Sequence, residues 1–240
     1  MFIKFSAIVL HAVKYGDSQL IVDLLSRERG RATVVARVSR SGRTGLRRQY
    51  FQPLTMLSLV AEEKTPGRLP VVREARIGKP LAGLSSDPRK LAVALFVAEF
   101  LGAATRGEQQ GEALFDYTAA SLAWLDAAGD GFSSFHLVYM MHLTRFIGFF
   151  PNLDDAREGD WFDLRNACFT PAEPLHTDCV APHEAVFIRQ LMRLNFETMR
   201  LFRMSHRQRN RATDIALWYY RLHVAGFPEL KSLEVVRALF

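Results

Sequence analysis

The chain is poor in cysteine, has no long apolar run and lacks the signatures of the common enzyme classes. Cys168 and Cys179 are its 2 cysteines in 240 residues, too few for a disulfide scaffold, and nothing demands an oxidising compartment. The longest apolar run, LAVALFVA at 91–98, falls far short of the ~20 residues of a membrane span. The apolar start, MFIKFSAIVL, runs straight into HAVKYGD without a small-residue cleavage site, which argues against a signal peptide. These absences predict a soluble, cytoplasmic protein. There is no G-x-x-x-x-G-K-[ST], no H-E-x-x-H and no G-x-S-x-G, so neither a catalytic centre nor a cofactor is expected.

Aromatics are scarce at the start and acids are missing from one stretch. Only 5 of the 27 aromatic residues lie in the first 80 (Phe2, Phe5, Tyr15, Tyr50 and Phe51). The segment RVSRSGRTGLRRQY, residues 37–50, holds five arginines and no acid. Residues 1–80 carry 15 Lys+Arg against 6 Asp+Glu, whereas the other 160 carry 16 against 19. A basic first part joined to a near-neutral second part suggests that the first meets a polyanion.

Up to about residue 78 the pattern favours strands: AIVLHAV (7–13), QLIVDLL (19–25), ATVVARV (32–38), PLTMLSLV (53–60) and LPVVREARI (69–77). They are short, rich in Val, Ile and Leu, and parted by YGDS, RERG and EKTPG. Five short strands in some 75 residues fit a small barrel, and for a nucleic-acid binder the five-stranded OB fold is the leading form. An SH3-like barrel is the competing form. From about residue 79 the period becomes helical, with helices expected over 89–105, 112–127, 134–147, 183–203, 210–225 and 231–240. Residues 149–181 read as a turn-rich insert. The fold class expected is α+β: an OB barrel over 1–78, then an all-α domain over 79–240.

Eight arginines occur between 27 and 48, at 27, 29, 31, 37, 40, 43, 47 and 48, with no lysine and one acid, Glu28. Guanidinium forks suit phosphate oxygens. On the strand 32–38, Val34, Ala36 and Val38 would face the core, while Arg31 and Arg37 share the other face. We therefore expect Arg27, Arg29, Arg31, Arg37, Arg40, Arg43, Arg47 and Arg48 to contact the phosphates of a nucleic acid. With at most two or three of the five early aromatics exposed, binding should be salt-sensitive and only weakly selective for sequence.

Other constellations are weaker. Cys168, His176, Cys179 and His183 superficially resemble ligands, but structural zinc usually takes paired C-x₂₋₄-C units, so no metal is expected. Asp154, Asp155, Glu158 and Asp160 could imitate a metal-dependent nuclease, yet they lie in a Pro/Gly-rich turn where acids are ordinary. A second basic cluster, RMSHRQRNR at 203–211, sits at a predicted helix junction. An RNA-binding regulator is the other open class, separable by competition between DNA and RNA strands.

The run AIVLHAVKYGDSQLIVDLLSRERGRATVVARVSRSGR, followed by FQPLTMLSL, resembles the RecO family of bacterial DNA repair and recombination mediator proteins. So do GFFPNLDDAREGDWFDLRNACFT, LMRLNFETMRLFRMS and YYRLHVAGFPELKSLEVVRALF. The resemblance covers nearly the whole chain and rests on order and extent. It implies an N-terminal OB fold, a C-terminal helical domain, and binding of single- and double-stranded DNA at the nucleoid. It implies annealing of strands coated by single-strand DNA-binding protein (SSB), and action with RecR in loading RecA, none of which needs an active site. It also implies that the helical part docks the SSB C-terminal tail, for which Arg145, Arg203, Arg207, Arg209 and Arg211 are candidates. Many family members carry a four-cysteine zinc module after the helix corresponding to 134–147. Here Asp154 and Asp155 stand near the first pair, so the chain resembles the branch without zinc, and Trp161, Phe162 and Phe169 should hold that segment together.

Overall fold

The computed structural model describes residues 1–39, 46–64, 67–106, 111–154 and 156–240. Five strands close a barrel: β1 (Phe2–Tyr15), β2 (Gln19–Ser26), β3 (Gly30–Arg37), β4 (Met56–Glu62) and β5 (Val71–Ile77), in the order β1-β2-β3-β5-β4. This is the OB arrangement, as expected. The long β1 serves two neighbours, pairing through Phe2–Ile8 with β4 and through Ala7–Tyr15 with β2. Closure comes from a short parallel contact of β3 with β5 at Val35↔Val71 and Ala36↔Val72. Alternation fixes which side chains fill the interior: Phe5, Val9, Leu20, Val22, Leu24, Val34, Ala36, Leu57 and Leu59 are all at most 3% exposed, and each large one contributes about 1.5–3 kcal/mol by leaving water. Residues 53–55, expected in a strand, instead make a turn, because Pro53 cannot donate to a sheet ladder.

Helices α1 (Ala82–Ser86), α2 (Pro88–Ala104) and α3 (Glu112–Ala127) follow. The Asp87 carboxylate accepts from the Arg89 amide at 2.8 Å, and Pro88 opens α2, a favourable N-terminus. Gly83 is required where α1 meets the end of α3, since a Cβ there would lie 2.2 Å from the Asp126 carbonyl oxygen.

The chain divides into compact units at 1–127 and 128–240, whereas the strand-to-helix change of pattern falls at 78/79. The physical reason is that α1–α3 pack with the barrel. Arg31 of β3 donates to the Gly102 carbonyl at 3.0 Å and to Thr105 Oγ1 at 3.3 Å, covering orphan groups at the end of α2. Arg27 pairs with Asp116 at 2.9 Å and with Glu112, both on α3.

The second unit holds α4 (Phe135–Leu143), α5 (Pro182–Arg193), α6 (His206–His223) and α7 (Leu233–Leu239). Tyr139, Tyr219 and Tyr220 fill its core, and the Tyr220 hydroxyl donates to the Met140 carbonyl at 2.7 Å. Three expectations change here. The 183–203 helix stops at Arg193, because Asn195 and Thr198 bond one another (Thr198 N to Asn195 Oδ1, 2.8 Å) and such side chains compete with helical bonding. The 210–225 helix begins earlier, at His206, where Ser205 and Gln208 form a capping box. The 149–181 insert contains a small sheet, β6 (Trp161–Asp163), β7 (Cys168–Thr170) and β8 (Cys179–Val180), with β6 central.

Candidate nucleic-acid interface

The arginines expected at one surface lie at opposite ends of the barrel. β3 begins beside Arg29 and Arg31 and ends at Arg37, six residues and roughly 20 Å further on. At the first end the cations meet acids. Besides Asp116 and Glu112 on Arg27, Arg31 pairs with Asp23 at 3.3 Å and Arg29 lies 3.7 Å from Glu63. A hydrogen bond to Asp116 holds the Arg27 guanidinium above its ordinary range, and partial burial pushes Arg31 below its own. Arg27 and Arg31 are therefore engaged in holding the first unit together, and Arg29 has a looser, exposed pair.

At the other end the picture reverses. The Ser39 amide donates to the Leu46 carbonyl at 3.1 Å, and Val38 bridges to Leu46, so the residues after Leu46 return beside the end of β3. A 3₁₀ turn, Arg48–Phe51, follows. Phe51, 2% exposed, anchors it in the barrel core, leaving Arg47, Arg48 and Gln49 exposed. Arg37 is exposed as well, and among the described residues no ion pair to Arg37, Arg47 or Arg48 is present. Cross-strand register sets Tyr15, Gln19 and Arg37 in one row. Tyr15 is 61% exposed, and Lys14 beside it is exposed. The same β1–β2 turn carries one acid, Asp17. Arg40 and Arg43 lie outside the described residues.

Of the five early aromatics, Phe5 and Phe51 are buried, Tyr50 packs against the core, and Phe2 and Tyr15 are exposed. Of those two, Tyr15 shares the arginine-bearing end. Sequence reasoning treated Tyr15 as one of five equivalent aromatics and passed over Lys14 and His11. The signal that could have found them was the YGDS turn, which must put Lys14 and Tyr15 at a hairpin tip.

In the second unit the candidate tail-binding arginines also divide. Arg209 is turned inward, donating to the Met204 carbonyl at 3.1 Å and to the Phe240 carbonyl. Arg211 is paired with Glu184 at 2.6 Å. Arg203 and Arg207 are exposed, and Arg145 lies over the Phe150 ring at 4.7 Å.

The small sheet settles how the insert is held. Asp163 stands opposite Cys168 on one side and Cys179 on the other, so the two cysteines are two strand spacings apart, roughly 10 Å. The Asp163 carboxylate accepts from the amides of Arg165 (2.9 Å) and Asn166 (3.0 Å) and from Asn166 Nδ2 (2.7 Å), with His176 Nε2 at 3.3 Å. Burial pushes this carboxyl up, but those hydrogen bonds outweigh it and leave it below the ordinary carboxylate range, while burial raises both thiols. Such a donor set does not fit zinc: the thiols face a carboxylate already filled by protein donors. Among the described residues no three His, Cys, Asp or Glu side chains are grouped to hold a metal. Asp154, Glu158 and Asp160 lie in turns, with Asp160 accepting from the Arg157 amide at 2.8 Å, and Asp155 lies outside the described residues. Phe162 is fully buried, edge-on to Phe169 at 4.9 Å and to Tyr219 at 5.9 Å. Replacing Asp163 by Ala should cost about 2–4 kcal/mol by stranding these donors. Asp163→Asn, which keeps an acceptor, should cost clearly less, both read from urea unfolding followed by tryptophan fluorescence. A loss under about 0.5 kcal/mol for the alanine variant would show that the hub holds nothing.

Among the described residues no helix is long and apolar enough to cross a membrane. Comparison with known proteins gives a consistent relationship. Residues 1–81 match the family model described as Recombination protein O N terminal, and residues 85–234 match Recombination protein O C terminal. DNA repair protein RecO of Phocaeicola vulgatus is 45% identical over 237 residues, covering 99% of this chain and 98% of that protein. The protein of the same name from Bacteroides fragilis is 43% identical over 238 residues, with 99% and 98% covered. The one from Porphyromonas gingivalis is 33% identical over 244 residues, spanning both chains in full. The family models part at 81/85, close to the change from strand to helix, and both halves lie in one protein in one order: the chain belongs to the RecO family.

Proposed function

We propose that this protein works in DNA repair as a non-catalytic DNA-binding mediator. In this reading it anneals complementary single strands, including strands coated by SSB, and acts with RecR to help load RecA. Family membership and the relatives' name, DNA repair protein, support the repair role. The observation that carries the DNA-binding part is the division of the arginines. Those at the β2–β3 turn meet acids of the same unit, whereas Arg37, Arg47 and Arg48 project at the far end without such partners among the described residues. Exposed guanidinium groups beside a Ser/Gly-rich segment suit a phosphate backbone and read little sequence.

For the SSB tail, acidic and apolar, Arg203 and Arg207 next to the 75% exposed Leu201, or Arg145 with Phe150, offer charge beside apolar surface. Arg209 and Arg211 support this less, being engaged internally. The test is annealing of complementary oligonucleotides by the full chain, bare and SSB-coated. Acceleration in both cases is expected, with the SSB-coated case lost when SSB lacks its tail. No acceleration over the protein-free rate would overturn the reading.

A further inference from the structure

Beside the exposed arginines the barrel carries a notch of about 320 Å³. Taking ~30 Å³ as one water's share of liquid, the space suits a single heterocyclic base and is too small for a folded element. Its floor and walls are apolar, from Leu20, Phe51 and Pro53, and its rim bears His11, Arg48, Gln49 and Gln52. Among the described residues no carboxylate lines it, and Arg48 contributes to this rim while its neighbour Arg47 is exposed alongside.

The rim is fixed by local structure. The Thr55 amide donates to the Gln52 carbonyl at 3.1 Å and the Leu54 amide to the Val9 carbonyl at 2.7 Å, making a tight turn at 52–55. Leu54 takes a positive φ of 63°, which glycine usually supplies, and its side chain is buried at 4% exposure. A left-handed leucine costs on the order of 1 kcal/mol, and this one is held by burial on one side and by β1 on the other. In β1 the register shifts between Val9 and His11, a bulge of the kind that re-aims a side chain next to a site.

We infer that this notch receives one unstacked base of a single strand whose phosphates lie on Arg47 and Arg48, giving the barrel a preference for single strands over duplex. The inference rests on the phosphate reading above and adds a base subsite to it. Gln49 and Gln52 each offer a donor and an acceptor, so they can meet the Watson–Crick edge of any base without choosing among them. The apolar wall accepts the base face. In duplex that edge is already paired and the base is stacked, so it does not enter.

The full chain is titrated with two strands of equal length and charge, an oligothymidylate and the same backbone with every base removed as the tetrahydrofuran analogue. Wild type should bind the base-bearing strand about tenfold more tightly, the scale of one well-placed base. The Gln49→Ala/Gln52→Ala variant, altered at two exposed positions, should bring that ratio to within about threefold while the log–log salt slope stays unchanged. Equal binding of the two strands by wild type overturns the inference, as does a double variant that keeps the tenfold ratio. Either result leaves the phosphate grip standing, because that is read from the salt slope of the arginine variants and not from the base-to-abasic ratio.

Discussion

Replacing Arg37, Arg47 and Arg48 together by alanine is expected to flatten the salt dependence of DNA binding. Each phosphate contact contributes about −0.7 to the log–log slope on single strands and about −0.9 on duplex. Losing three should reduce the slope by about 2 on single strands and somewhat more on duplex. Because each contact is referred to high salt, the same loss weakens binding near 0.15 M salt by roughly 50-fold on single strands. The weakening should be uniform across sequences, since phosphate contacts carry no base information. Arg27→Ala is the matched control. Its guanidinium is bound to Asp116 and Glu112, so removing it should leave the slope within error. Slopes are measured by fluorescence anisotropy from 50 to 300 mM salt. An unchanged slope in the triple variant, or an equal drop in Arg27→Ala, would place the phosphate contacts elsewhere.

That contrast also shows what the sequence could and could not say. The barrel is legible because its strands alternate: Val34 and Ala36 turn inward and Arg31 and Arg37 outward, as a period of two requires. Helix α3 was expected over 112–127 and runs Glu112–Ala127, since nothing local competes with it. The fate of the arginines was not legible. Arg31 and Arg37 have the same face and chemistry, and what separates them is Asp23 across the strand and the end of α2 some 70 residues away. Contacts at such separation are set by packing, which a one-dimensional pattern does not carry. The break after Arg193 and the early start at Ser205 are different. Asn195 with Thr198 and Ser205 with Gln208 are local pairs three residues apart, a signal that lies in the sequence but that apolar periodicity does not carry. The small sheet was hidden because its strands are two or three residues long, too short for any alternation to register.

The second unit should lose stability steeply in mild acid, and His136 is the reason. It lies on α4, 1% exposed, with Nε2 3.1 Å from Thr213 Oγ1. The Thr213 hydroxyl donates to the Arg209 carbonyl at 2.9 Å, so toward His136 it accepts, and the ring carries its proton on Nε2. A second proton would place a cation in the core. Burial, with the Arg209 charge adding to it, pushes the His136 pKa down to about 3, against ~6.5 in the unfolded chain. Between those values only the unfolded chain takes up the proton. The contribution is therefore complete above pH 6.5 and is lost as pH falls toward 3, at up to about 1.4 kcal/mol per unit. From pH 6.5 to 4.5 this one residue should remove about 2–3 kcal/mol, a large part of the 5–15 kcal/mol by which most domains are stable. His142, partly buried with Nε2 at 3.1 Å from the Leu191 carbonyl, is also lowered by burial and acts in the same direction. The experiment therefore compares wild type with His136→Gln, in which His142 is retained. The variant pays for the exchange of ring by amide at every pH, but its urea midpoint should fall less between pH 7 and 4.5, by an amount matching the proton that it no longer excludes. Parallel midpoint-versus-pH curves for the two proteins would mean that His136 is not the group that acid titrates.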